Sequence, residues 1–307
     1  MPKVSVIIAT YNRSNVLALT IQSVLWQTVG DFELIVVGDC CTDDTESVVL
    51  GFKDDRIRFV NLEQNIGEQS GPNNVGAEMA SGQYIAYLNH DDLWLPDHLE
   101  KMIEGLEETK SDFVFCLAEY VRHPKDKLEK YFVAVPSNPQ FDGSYSVPAS
   151  AWLLTRSAYE EIGPWKSFRE TYSIPSQEFI NRARKMGKKI TFIPEFTAVF
   201  VPSGSRKSAY KNRELEDNLF FFEQIRDNPR FREEELQEIF LSKDEQNLKF
   251  YSSKVLFKKA LTNAFRNFVA AFGIEPRVLA QFKFSIKKGG YLNRLRKNRG
   301  LPPIDTK

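Results

Sequence analysis

Histidine and cysteine are scarce in this chain, three of each among 307 residues, and no window holds the roughly 18 uninterrupted apolar residues of a membrane-spanning helix. An odd number of cysteines, two of them the chain neighbours Cys40 and Cys41, does not suit a disulfide framework, and a reducing compartment is expected. The opening MPKVSVIIATYN carries one lysine and an apolar run too short for a secretory leader. A cytoplasmic protein follows as the expectation, one that neither crosses a membrane nor is exported. Excess charge is missing as well: 41 basic and 41 acidic residues cancel, so nothing global argues for a nucleic-acid partner. Internal repeats and low-complexity tracts are absent.

What is present is material for a core, 42% of the residues being hydrophobic. Short runs rich in Val, Ile and Phe (Val4 to Thr10, Phe32 to Gly38, Ile57 to Leu62, Tyr84 to Asn89, Asp112 to Ala118) alternate with helical spacings (Val16 to Leu25, Thr45 to Phe52, Val75 to Met79, Leu99 to Leu106). Strand and helix in alternation predict an α/β fold, a parallel sheet covered on both faces. In such sheets ligands collect at the carboxyl ends of strands. Three of these ends turn polar: Thr10-Tyr11-Asn12-Arg13, Asp39, and Asn89-His90-Asp91-Asp92. A carboxylate taken from water costs several kcal/mol unless it is paired, so the acids after the fourth strand are expected to hold something.

Beyond residue 120 the proline-punctuated stretch 121–146 reads as an insertion or rim loop. Ala149 to Thr155 reads as a strand, Arg156 onward as a helix closed by Gly163, and Ser176 to Gly187 as a helix with Ser at its cap. Lys189 to Pro202 reads as two short strands, and residues 207–250 as charged and largely helical. The division expected is a catalytic domain over residues 1–205, in which residues 1–120 bind the nucleotide and residues 121–205 serve the acceptor, followed by a helical, basic extension over residues 206–307.

VSVIIATYNR, VVGDCCTDDT and NNVGAEMASGQYIAYLNHDDLWLPDHL, in this order, resemble three segments of the family 2 glycosyltransferases, over roughly residues 2 to 200. The resemblance implies the GT-A fold, a Rossmann-like, mainly parallel sheet flanked by helices. It also implies inverting transfer of a sugar from a nucleotide donor, UDP-sugars being the expected class, to a saccharide or lipid-linked acceptor in polysaccharide or glycolipid biosynthesis. The alternative is a sugar-nucleotide-binding protein without transfer, suggested by Gly38, Asn73 and Asn89, which stand where the family carries an acid, an arginine and an acid.

By that resemblance Asp91 is the metal ligand, holding Mn²⁺ or Mg²⁺ against the donor diphosphate, a task suited to carboxylate oxygen. Asn89 adds no charge and is expected to weaken the metal site. The rival reading has Asp91 or Asp92 capping the helix that begins near Pro96, with His90 a hydrogen-bonded bystander. Asp39 is expected to accept a hydrogen bond from the base, or else to cap the helix from Thr42. Tyr11 offers the base a flat face, and Thr10 and Arg13 would meet ribose and phosphate, unless Arg13 is a solvated helix-start residue. Asn74 is a further nucleotide candidate. The segment PSQEFINRARKMG has the shape of the helix that bears the family's catalytic base, which makes Glu178 the candidate and Glu170 its understudy; an acid in a first helical turn is also what the helix dipole favours.

The tail from Lys254 to Arg299 holds twelve Lys or Arg against one acid, Glu275. Phe257, Leu261, Phe265, Phe268, Val269 and Phe272 recur beside them at helical spacing. Such a helix suits an anionic membrane surface, a peripheral attachment; alternatively its phenylalanines pack on the catalytic domain.

Overall fold

In the computed structural model, residues 2–122, 128–133, 136, 139–143, 145–171, 173–202, 209–213, 215–250 and 290–304 are described. Four strands run parallel in the order β3 (Ile57–Asn61), β2 (Phe32–Gly38), β1 (Val4–Thr10), β4 (Tyr84–Asn89). Continuous Val/Ile/Leu runs make β1 and β2 strands that are buried on both faces. The helices α1 (Ser14–Leu25), α2 (Thr45–Leu50) and α3 (Ser70–Met79) make the crossovers between them, while the two-residue β5 (Leu93–Trp94) and then α4 (His98–Thr109) follow β4. Gly76 of α3 lets that helix approach β1, for a Cβ there would meet Ile7 Cγ2 at 2.5 Å.

Past β4 the sheet turns mixed. β6 (Phe113–Arg122) pairs antiparallel with β7 (Glu129–Val133) and with β8 (Trp152–Thr155), and β8 pairs antiparallel with β4. A 3-10 turn at Ala149–Ala151 precedes β8, so the strand is shorter than its apolar run. Thr155 caps α5 (Arg156–Ile162), its hydroxyl accepting from Ala158 N at 3.1 Å. The helix α6 (Pro175–Lys185) starts with Pro175 in its first turn and Ile174 at the cap position, where a serine cap had been expected.

One strand, β9 (Ile190–Phe200), replaces the two expected between Lys189 and Pro202. It runs parallel to β6, and the register jumps from Cys116↔Ile193 to Leu117↔Phe196. Pro194 falls inside that jump; it has no N–H for the ladder and is accommodated as an irregularity. α7 (Ala209–Asn212), α8 (Glu216–Asp227) and α9 (Phe231–Phe250) follow, matching the helical expectation for 207–250. α8 buries Phe221 and Phe222 in a cluster with Leu93, Phe196 and Val199, and Phe222 stacks on Trp26, just past α1, at 4.8 Å. The amphipathic pattern Phe257 to Phe272 lies outside the described residues. The last described helix is α10 (Gly290–Arg299).

Candidate functional site

The carboxyl ends of β1, β2 and β4 open on a cavity of about 330 Å³. Its wall includes Thr10, Tyr11, Asp39, Glu68, Asn89, His90, Asp91 and Asp92. Asn12 fastens two of the loops: its Oδ1 accepts from Thr42 N at 2.8 Å while its backbone takes the left-handed φ of 48° that asparagine tolerates. Gly38, standing where the resemblance leads one to expect an acid, has a local cause. A Cβ there would meet Asn61 Oδ1 at 2.5 Å, and the Asn61 amide is itself bonded to both N and O of Cys41.

Asp39, just past β2, is 4% exposed. Its carboxylate accepts from Ile66 N at 2.6 Å, Gly67 N at 2.8 Å and Asn65 Nδ2 at 3.1 Å, and so fixes the loop that precedes α3. Burial pushes its carboxyl above the ordinary range, against those hydrogen bonds and the nearby Arg296 charge. It does not cap α2, where Asp43 takes Thr45 N at 3.2 Å. Thr10 is buried with a hydroxyl that has no partner among the described residues.

At the end of β4 the two acids divide. Asp92 is inward, 3% exposed, and accepts from Ser150 Oγ at 2.5 Å, Asn89 Nδ2 at 2.8 Å and Val201 N at 3.2 Å. This carboxylate ties β4, the turn before β8 and the end of β9 together. Burial and the adjacent Asp91 charge raise its pKa. Asp91 faces the cavity, its backbone oxygen held by Asn218 Nδ2 of α8 at 2.7 Å. Neither acid caps α4, whose cap position is Asp97. His90 Nε2 lies 3.4 Å from Tyr210 Oη, and burial lowers its pKa, with Arg13 and Arg299 adding to the effect and Asp91 opposing it. Among the described residues no three His, Cys, Asp or Glu side chains converge on one point.

The remaining expected residues lie differently. Arg13 is fully buried, its guanidinium 5.4 Å from the centre of the Tyr210 ring, so it is not a solvated helix-start residue, and it stands behind the cavity wall next to Tyr210. Asn74 is outside the wall, both ends of its amide bonded to the Trp165 backbone at 2.8 and 2.9 Å. Glu178 is also outside it; α6 presents Pro175 and Ser176 to the cavity, while the Glu178 carboxylate meets Arg182 Nε at 3.0 Å and Lys166 Nζ at 3.6 Å. Arg182 carries that tie onward by donating to Ile162 O and Pro164 O. Glu170 accepts from Ser167 N at 2.9 Å and is not in the wall either.

The other side of the cavity is made by residues that the sequence assigns to no site, Arg296 and Arg299 counting there only toward the basic tail. Tyr210, Leu292, Leu295, Arg296, Arg299 and Leu301 close it from the C-terminal region of the chain. Glu68 is a further wall residue, 8% exposed, which accepts from Phe168 N at 3.3 Å, with burial raising its pKa. Only an isolated acid in a glycine-flanked loop marks it in the sequence.

The sequence model described as Glycosyl transferase family 2 matches residues 5–163, just over half of the chain. The chain belongs to glycosyltransferase family 2. Among family relatives, a glycosyltransferase assigned to teichuronic acid biosynthesis, TuaG of Bacillus subtilis (strain 168), is 36% identical over 164 residues, 53% of this chain and 64% of that one. WfgD of Escherichia coli, a UDP-Glc:alpha-D-GlcNAc-diphosphoundecaprenol beta-1,3-glucosyltransferase, is 36% identical over 120 residues, 39% of this chain and 47% of its own. The matched segments thus span less than two thirds of these relatives. Residues 1–349 of TarS from S. aureus, crystallised in complex with UDP-GlcNAc, superpose with a TM-score of 0.55 at 20% identity, covering 64% of this chain and 58% of that one. That likeness shows the fold, which is the GT-A fold of family 2. Among the described residues no helix is long and apolar enough to cross a membrane.

Proposed function

We propose that the chain transfers a sugar from a UDP-sugar to a saccharide or lipid-linked acceptor, with inversion, in the building of a polysaccharide or glycolipid. One observation carries the reading. Thr10, Tyr11, Asp39 and Asp91 come from the ends of three neighbouring parallel strands and line a single cavity, in a chain that belongs to glycosyltransferase family 2. Tyr11 offers the base a flat face with a polar tip, and Asp39, rigidly held by the 65–67 loop, has a lone pair left for a base N–H. The partnerless Thr10 hydroxyl is suited to ribose or phosphate. Arg13 would act through Tyr210, and Asn74 by fixing α3 to Trp165. The TarS complex with UDP-GlcNAc and the UDP-Glc in WfgD's name support a uridine donor.

Mn²⁺ or Mg²⁺ fits this corner together with the donor. Such cations are commonly held by one or two carboxylates plus substrate phosphates, and Asp91 with Asn89 Oδ1 provides that much. A bound cation would supply charge neutralisation for the departing diphosphate. Glu178 we assign to positioning: by pinning Lys166 and Arg182 it sets the loop before α6 and hence the Ile174–Ser176 wall. We keep the division at residues 205 and 206, and an anionic membrane surface as partner of the basic tail, on the charge pattern of 254–299.

Thermal-shift titration with UDP, GDP and dTDP, with and without Mn²⁺, followed by measurement of UDP release from UDP-sugars with added acceptors, tests the proposal. Stabilisation by UDP and acceptor-dependent release are expected. No response to any nucleoside diphosphate would sink the donor reading. Binding without release would establish the second reading, a sugar-nucleotide-binding protein, which the position of Glu178 outside the cavity wall favours.

A further inference from the structure

Two cavity-wall arginines belong to none of the strand-end loops. Arg296 and Arg299 lie three residues apart in the last turn of α10, and both face the cavity, whereas Lys297 between them is exposed. A helix dipole favours cations in a last turn wherever they point. It does not explain why these two turn inward.

Arg296 is a fastening. It is 4% exposed, and it donates from Nη1 to Gly67 O at 2.6 Å and from Nε to Pro302 O at 2.8 Å. The N–H of the same Gly67 goes to Asp39, so one residue couples the Asp39 loop to α10. Gly67 permits this approach, with φ at 83° and a hypothetical Cβ 2.6 Å from Ile304 Cγ2 and 3.0 Å from Arg296 Nη1.

Arg299 has no such occupation. Among the described residues it forms no ion pair, and it lines the same cavity wall as Asn89, His90, Asp91, Asp92 and Tyr120. The wall there is rich in acids, with Asp91, Asp92, Glu68 and Asp39 all present. A diphosphate entering such a wall needs a cation beyond what Asp91 can recruit, and a guanidinium supplies a fixed fork of donors to phosphate oxygens.

Resting on the reading of the cavity as a donor site, we propose that α10 is its lid, with Arg296 as the latch and Arg299 as the guanidinium that meets the donor diphosphate. The test is isothermal titration of the full chain with UDP, GDP and dTDP, each paired with its nucleoside as a diphosphate-free control, for the wild type, Arg299→Gln and Arg299→Lys. Arg299→Gln should weaken the preferred nucleoside diphosphate about tenfold or more, as loss of a charged hydrogen bond does, with nucleoside binding unchanged and Arg299→Lys intermediate. Thermal midpoints of the variants close to wild type would show that the fold is kept. Wild-type affinity in Arg299→Gln, or equal losses for nucleotide and nucleoside, overturns the inference. A gain in affinity overturns it too, because α10 would then compete with the donor. A wild type that binds no nucleoside diphosphate removes the donor reading itself, an outcome distinct from an indifferent variant.

Discussion

Replacing Glu178 by glutamine separates two roles that the sequence leaves open and the structure pulls apart. The carboxylate sits 3.0 Å from Arg182 Nε, and the two side chains are only 18% and 17% exposed. Lys166, 3.6 Å away, is 46% exposed and adds little in water. Glutamine can still accept from Arg182, and Arg182 keeps its bonds to Ile162 O and Pro164 O. The loss is therefore that of a partly screened i,i+4 ion pair, about 1 kcal/mol or less, or roughly 2–4 °C in thermal midpoint for a domain of this size class. A general base would contribute about 10² to 10⁴ in rate, which is about 2.7 to 5.5 kcal/mol of barrier. The two scales do not overlap. Urea denaturation and acceptor-dependent UDP release on the same preparation should show slightly lower stability and turnover within about threefold of wild type. A fall of about a hundredfold or more with donor affinity intact would refute the positioning role and return the base to Glu178.

Asp91→Ala should abolish the Mn²⁺-dependent component of UDP stabilisation while the metal-free component persists, and an unchanged Mn²⁺ response in thermal-shift assays rules out Asp91 as the ligand. Asn89→Asp, which on charge alone would tighten a metal, should instead lower stability above the Asp92 pKa, which burial raises to about 8, because Asn89 Nδ2 donates to Asp92 at 2.8 Å and a carboxylate would there face a carboxylate; a variant as stable as wild type in urea titrations at pH 9 contradicts this. His98 is fully buried beside Trp94, and burial pushes its pKa from 6.5 down to about 3. Between those values the unfolded chain binds a proton that the folded one does not, so this residue's contribution falls as pH drops, by up to about 1.4 kcal/mol per unit. Comparing wild type with His98→Phe at pH 7.5 and 5.5, the wild type should lose about 1 kcal/mol more, and parallel losses would exclude the linkage.

The strands β1, β2 and β4 were legible to the residue, because a run buried on both faces is apolar nearly throughout, with Ser5 and Glu33 as the interior exceptions, and turns polar where the chain leaves the sheet. Parallel topology then brings their polar ends together, which is why Thr10, Tyr11, Asp39 and Asp91, marked by spacing and resemblance, line one cavity. Lys189 to Pro202 reads as two short strands but forms one, and Pro194, which has no N–H for the ladder, produces only a shift in register there. Glu178 and Asp92 show where local reading stops. Helical period tells which residues share a face, but not whether Arg182 and Lys166 or the cavity will meet the carboxylate, and two adjacent acids after β4 look alike until Ser150, Asn89 and Val201 surround one of them.

The sequence by itself thus determined the alternation of strand and helix, the crevice at the strand ends and the family. Only the tertiary structure decided which charges are held by protein donors away from the cavity and which stand in its wall. Arg296 reaches Gly67 across 229 positions of the chain. Closing a long loop costs little more than closing a moderate one, so distance along the chain neither forbids such a contact nor announces it, and the role of a charged side chain is fixed by the groups packed within about 3 Å of it.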